Sequence, residues 1–161
     1  MLSKKIYFLI ISIIFLVLIL AGMQRPALSA EKLFASNLLF NYEIKSYPSS
    51  AEVTPSIPGK NISIGVDISP DNLNFGIIPG NGSISRRFLN LTNLQDKDAK
   101  VYLAAIGSIK PFVGFDKNDF IIKSNEKIDI TVYFNTTNAD IGNYSGDIYL
   151  VVERSKYDFL S

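Results

Sequence analysis

No cysteine, histidine or tryptophan occurs anywhere in the 161 residues. Without histidine or cysteine, neither a Ser-His-Asp nor a Cys-His nucleophile can be assembled. Thiolate and imidazole zinc sites are excluded as well. No disulfide can form, so stability has to come from a packed core of ordinary size. An excess of either charge is missing too, with 16 Lys and Arg against 15 Asp and Glu. Lys4, Lys5 and Arg25 precede the first acidic residue, Glu31, leaving 13 basic residues against 15 acidic ones from there on. That balance supplies no basic face for nucleic acid and no polybasic patch for a membrane surface.

What the chain does have begins at its N-terminus. A short basic start, MLSKK, leads into the 18 uncharged residues Ile6–Met23. As a helix this stretch is ~27 Å long, close to a ~30 Å hydrocarbon core, and longer than the ~7–15 residues of a usual secretory h-region. Small residues at Ala27, Ser29 and Ala30 suit a cleavage region. The segment 1–30 is therefore a transmembrane anchor or a signal peptide, and both outcomes export the rest because Lys4 and Lys5 hold the start inside. Met23 stands where a lipoprotein would need cysteine.

Residues 31–60 read as a juxtamembrane segment and a spacer. Phe40, Tyr42 and Ile44 hint at a short strand, and Ser46–Lys60 (SYPSSAEVTPSIPGK) holds three prolines and four serines, a composition that favours an extended, solvated linker. Period-two alternation then marks strands at 61–69, around 87–93, at 126–135 and at 147–152. Lys127 and Asp129 on the polar side of the third would discourage unwanted pairing at a sheet edge. Turn chemistry lies between the strands: Pro79-Gly80-Asn81-Gly82, then two polar loops at 93–100 and 135–143. The expected fold is an all-β antiparallel sandwich of about seven strands over 61–154, with one N-terminal hydrophobic helix before it and a C-terminal tail at 155–161.

Two stretches resemble a known family. LNFGIIPGNGSISRRFLNLTN at 73–93 resembles the opening of ASPM-SPD-2-Hydin-type immunoglobulin-like domains, an L-x-F-G turn followed by a strand ending L-x-N. IIKSNEKIDITVYFNTTNADIGNYSGDIYLVV at 121–152 is similar to that family's ending, with its G-x-Y-S-G. The resemblance implies an immunoglobulin-like sandwich doing non-catalytic work: spacing, adhesion, or docking onto filaments or envelope layers. It also implies structural roles, with Leu73 and Phe75 sealing the core, Gly76 allowing a close turn, and Tyr144 and Gly146 beginning the last strand. A single copy departs from the tandem arrays of exported relatives. Archaeal flagellar-motor stator subunits share the overall plan of one membrane helix and one small sandwich.

Candidate sites follow from residue types. Asn-x-Ser/Thr acceptors stand at Asn61, Asn81, Asn90, Asn135 and Asn143, where 13 asparagines and 22 serines and threonines give about two by chance. Asn81, Asn135 and Asn143 fall in expected turns, while Asn90 lies within a strand. Asp96 with Asp98 and Asp116 with Asp119 are the close carboxylate pairs, and neither has a calcium-loop pattern. Phe112, Val113 and Phe115, between Pro111 and Gly114, form a candidate interface loop. Tyr102, Phe112, Phe115, Phe120 and Tyr133 form a candidate glycan or partner patch. No enzyme activity, cofactor, metal or nucleic acid is expected. The expected partners are the membrane, through Ile6–Met23, and an envelope or filament protein. The alternatives are an accessory or stator-like subunit of an archaeal surface filament and a carbohydrate-binding module.

Overall fold

The computed structural model describes residues 34–36, 39–56 and 71–157, together with 12, 13 and 17 in the apolar N-terminal stretch. Those three are helical, and among the described residues no helix is long and apolar enough to cross a membrane. The rest of the expected helix over Ile6–Met23 lies outside the described residues, as do the expected strand at 61–69, Asn61, and the end of the tail.

Nine strands are described: β1 (Phe34–Ser36), β2 (Phe40–Thr54), β3 (Leu73–Pro79), β4 (Ile84–Thr92), β5 (Ala99–Gly107), β6 (Val113–Phe115), β7 (Phe120–Ile122), β8 (Lys127–Asn135) and β9 (Gly142–Ser155). They build an all-β sandwich of two sheets. The larger runs β1-β2-β9-β5-β7, with β3 also paired to β2; the smaller runs β4-β8-β6. The axis of the larger sheet is the antiparallel pair β2–β9, in unbroken register from Phe40 opposite Ser155 to Val53 opposite Gly142. β3 is the exception to antiparallel pairing, running parallel to β2.

Residues 46–54 are therefore not the solvated spacer that their prolines and serines suggest. They are the second half of β2, and the sandwich begins at Phe34 rather than Asn61. The cause lies in alternation: Tyr47, Ala51 and Val53 are buried in the core, while Ser46, Pro48, Ser50 and Glu52 supply the outward set. Ser49 shares the inner face and satisfies its hydroxyl by donating to the carbonyl of Tyr47 (2.8 Å). Among the described strands, Pro48 has a ladder partner on one flank only, where a strand tolerates a residue lacking N–H.

The core fills the space between the sheets. Phe75, Ile78, Ile130, Phe134, Val101 and Ile148 are all fully buried there. Phe134 touches three rings, Phe75, Phe112 and Tyr144, at centroid distances of 5.6–5.7 Å. β8 supplies Ile130, Val132 and Phe134 to the core as its alternation predicts, but it lies between β4 and β6. β6 reaches only Val132–Phe134, however, so Lys127 and Asp129 lie on the half of β8 whose one described ladder partner is β4.

A second cluster occupies the other face of the large sheet. Tyr42 and Ile44 of β2 meet Tyr149 and Val151 of β9 there, with Phe40 and Tyr102 alongside. The Tyr149 hydroxyl is buried opposite Ser46, whose own hydroxyl donates to Asp147 (3.0 Å), and it has no hydrogen-bond partner among the described residues. Burial first, and the Asp147 carboxylate second, hold this phenol above its usual value of 10, with Ser46 drawing it back a little. A raised folded-state value means stability is complete below the unfolded value of about 10 and declines as pH climbs through the folded one. Tyr149→Phe is therefore expected to lose less stability than the wild type between pH 9 and 11.5, and to be no less stable at pH 7, measured by urea midpoints across that range.

Candidate binding surfaces

Strand directions sort the loops onto two ends. β2 rises from Phe40 to Thr54, β3 rises beside it, and the 80–83 turn then sends β4 down. The turns at 80–83, 108–112 and 136–141 thus gather at one end. The loop at 93–98 and the turn at 123–126 gather at the other, near where β1 enters. At the first end Thr136 stitches two turns together. Its N–H donates to the Ser83 carbonyl (2.9 Å) and its hydroxyl to the Pro79 carbonyl (3.0 Å). Asn81 takes a left-handed conformation there (φ 64°), which asparagine accepts cheaply.

At the opposite end Asn93 is the clamp. Its side chain is buried; its amide donates to the carbonyls of Lys97 (2.8 Å) and Lys123 (3.1 Å), and its oxygen accepts from Gln95 N–H (3.3 Å). This is the asparagine of the L-x-N ending. Asn93→Ala strands two carbonyls beside a buried gap and is expected to cost about 2–3 kcal/mol, read from the urea midpoint.

Three of the four paired carboxylates serve the fold. Asp98 accepts from Ser124 N–H (3.0 Å), Asp116 accepts from Thr131 N–H (2.7 Å), and Asp119 pairs with Lys100 (3.2 Å). Beside Asp119, Asn118 makes two bonds to the backbone of Leu103, extending the short β5–β7 ladder with a side chain. Among the described residues no three acidic side chains cluster as metal ligands would.

Phe112, Val113 and Phe115 are not an exposed apolar loop. Phe112 lies edge-on to Tyr144 (4.9 Å) and against Phe134, while Val113 and Phe115 are half-buried in β6, packed on the core. The irregular backbone expected from Pro111 and Gly114 is a tight turn at Ile109–Phe112 that delivers Phe112 inward. The wider aromatic patch dissolves for the same reason. Tyr102 packs on the second cluster, Phe112, Phe115 and Phe120 pack on the core, and Tyr133 lies over Gly114 on the outside of the small sheet.

The acceptor asparagines fare differently. Asn81, Asn90 and Asn143 are exposed, and Asn135 is half-buried with its oxygen held by both the N–H (2.9 Å) and the hydroxyl (2.7 Å) of Thr137. Of the three asparagines expected in turns only Asn81 lies in one, since Asn135 ends β8 and Asn143 lies in β9; Asn90 is exposed like Asn81 and Asn143, because β4 turns that side chain away from the core.

Sequence reasoning missed one surface altogether. Pro48, Ser50, Asn74, Ser145 and Asp147 line an open groove of about 490 Å³ on the outer face of β3, β2 and β9. Ser50 donates to the Asn74 side-chain oxygen (3.3 Å), which also accepts Gly76 N–H (2.9 Å). Its residues Pro48 and Ser50 come from β2, which the serine-rich composition hid.

No family model matches this chain, and no curated protein matches it. Among solved structures it is similar to a Burkholderia pseudomallei antigen and type I fimbria protein, at 13% identity and a TM-score of 0.33, over 73% of this chain and 99% of that one. Nothing about this chain follows from a likeness at that level.

Proposed function

We propose that this protein is an exported, membrane-tethered surface glycoprotein whose immunoglobulin-like sandwich, of the ASPM-SPD-2-Hydin type, binds a protein of the cell envelope and performs no catalysis. One arrangement supports the reading. Phe34 enters the sandwich opposite Glu43, on the side of the 93–98 loop, and the turns at 80–83, 108–112 and 136–141 gather at the far end. Between Met23 and Phe34 lie ten residues, which span at most ~35 Å. With Ile6–Met23 in the bilayer, the domain stands close to the membrane and presents its far turns outward. The G-x-Y-S-G ending also has a physical purpose here, since Tyr144 joins the core rings and Ser145 bonds to Ser108 (2.8 Å).

In-cell crosslinking through lysines in the native host, followed by mass spectrometry of the membrane fraction, tests this. The expected result is a retained N-terminal peptide and reproducible crosslinks from Lys110, exposed in a far-end turn, to one envelope or filament protein. A domain shed into the medium without protein crosslinks would overturn it.

A further inference from the structure

β4 reads Phe88-Leu89-Asn90-Leu91-Thr92 at its lower half. Leu89 is buried and Leu91 half-buried against the core, so Phe88, Asn90 and Thr92 all project from the outer face of the small sheet, where all three are exposed. Same-face neighbours on a strand stand about 7 Å apart. An aromatic ring, an acceptor amide and the hydroxyl that completes the acceptor motif therefore stand in one row. Phe88 is 67% exposed, an unusual state for a phenylalanine in a sheet face, since such a ring gains by losing 150–250 Å² to a partner. Its cross-strand neighbour is Thr131, which is too small to cover it, and Asp129 stands opposite Asn90. β4 is also the outer strand of its sheet, which leaves room beside Asn90 for a bulky group. The Asn90 amide makes no hydrogen bond among the described residues.

We propose that Asn90 carries an N-linked glycan whose first sugar lays its apolar C–H face on the ring of Phe88. The inference rests on the surface-glycoprotein reading and deepens it. It reverses the ranking drawn from sequence, where a strand position counted against Asn90, because alternation is what aligns the ring with the acceptor. The chain contains its own comparison. Tyr133 also stands two residues before an acceptor, Asn135, but that ring already lies over Gly114 and the amide oxygen is held by Thr137. Asn81 and Asn143 are preceded at that spacing by Pro79 and Ile141, neither of them aromatic.

Glycopeptide mapping of the full chain purified from its native host comes first, with Asn90 expected to be occupied. Thermal unfolding then compares wild type, Thr92→Ala, Phe88→Ala and the double variant, each also made in a host without N-glycosylation. Thr92→Ser, which keeps the acceptor, and Phe88→Tyr, which keeps a ring, serve as conservative variants. Loss of the glycan through Thr92→Ala is expected to lower Tm by about 4 °C beyond its effect in the unglycosylated protein. That excess should vanish in the Phe88→Ala background and survive in Phe88→Tyr. An empty Asn90 beside an occupied Asn81 or Asn143 overturns the inference and leaves the glycoprotein reading standing. No occupied acceptor anywhere overturns both. An occupied Asn90 whose excess is the same with and without the ring overturns the stacking.

Discussion

A chain cut to begin at Asn61 is expected to be unfolded at room temperature, whereas one beginning at Glu31 unfolds in a single cooperative transition. The cut looks harmless in sequence, because it removes a stretch that reads as linker. In the fold it removes β1 and β2, the strand that β9 matches over fourteen residue pairs. Tyr47, Ala51 and Val53 leave the main core with it, and Tyr42 and Ile44 leave the second cluster. Each large apolar side chain stabilises by roughly 1.5–3 kcal/mol when buried, so the loss is on the order of 10 kcal/mol. That is comparable to the entire 5–15 kcal/mol of an ordinary domain. β3 loses its ladder partner at the same time. Circular dichroism and heteronuclear NMR of the two chains would check this; a dispersed spectrum from the shorter chain would contradict the assignment of β2 as structural.

The alternation of Phe40, Tyr42 and Ile44 hints at the start of β2, and its second half escapes sequence reading for a reason that can be stated residue by residue. Alternation shows a strand only while one face stays buried. Along β2 the buried apolar residues are Tyr42 and Ile44, then Tyr47, Ala51 and Val53. The step from 44 to 47 is odd, because the first pair faces the second cluster and the rest face the core. The period breaks in the middle of a regular strand, and Pro48 with three serines finishes the disguise. β9 crosses the same boundary, but its run Ile148–Val152 is buried on both faces and reads as a strand anyway. β4 and β8 keep one face inward throughout, so their inner sets, Leu89 and Leu91, then Ile128, Ile130, Val132 and Phe134, were legible without coordinates. The groove at Ser50 and Asn74 was hidden with β2. The exposed ring beside Asn90 was in plain view, but its meaning depended on knowing that β4 turns residues 88, 90 and 92 outward together.

Gly146→Ala is expected to destabilise the protein by about 3–5 kcal/mol, an effect out of proportion to one methyl group. Gly146 faces Gly107 across the β5–β9 ladder. A Cβ on Gly146 would fall 1.9 Å from the carbonyl oxygen of Ile106 and 3.0 Å from the Ile109 side chain. The obstacle is backbone at the end of the β5–β9 ladder, so no rotamer change relieves it, and the last pairs of that ladder have to part. Parting it also pulls Ser145 from Ser108, where the N–H of Ser145 donates to the Ser108 hydroxyl (2.8 Å) and the N–H of Ser108 donates to the Ser145 carbonyl (2.9 Å). The 108–112 turn is thereby loosened, and with it the delivery of Phe112 to the core rings. Gly80→Ala is the matched control. There the added methyl would stand 3.5 Å from the Thr54 carbonyl oxygen, an ordinary contact, and the expected change is within about 1 kcal/mol. Urea denaturation of the two variants side by side separates a glycine needed for close approach from one that is merely in a turn. Equal losses at both positions would mean that the last strand does not approach β5 as closely as its glycines suggest.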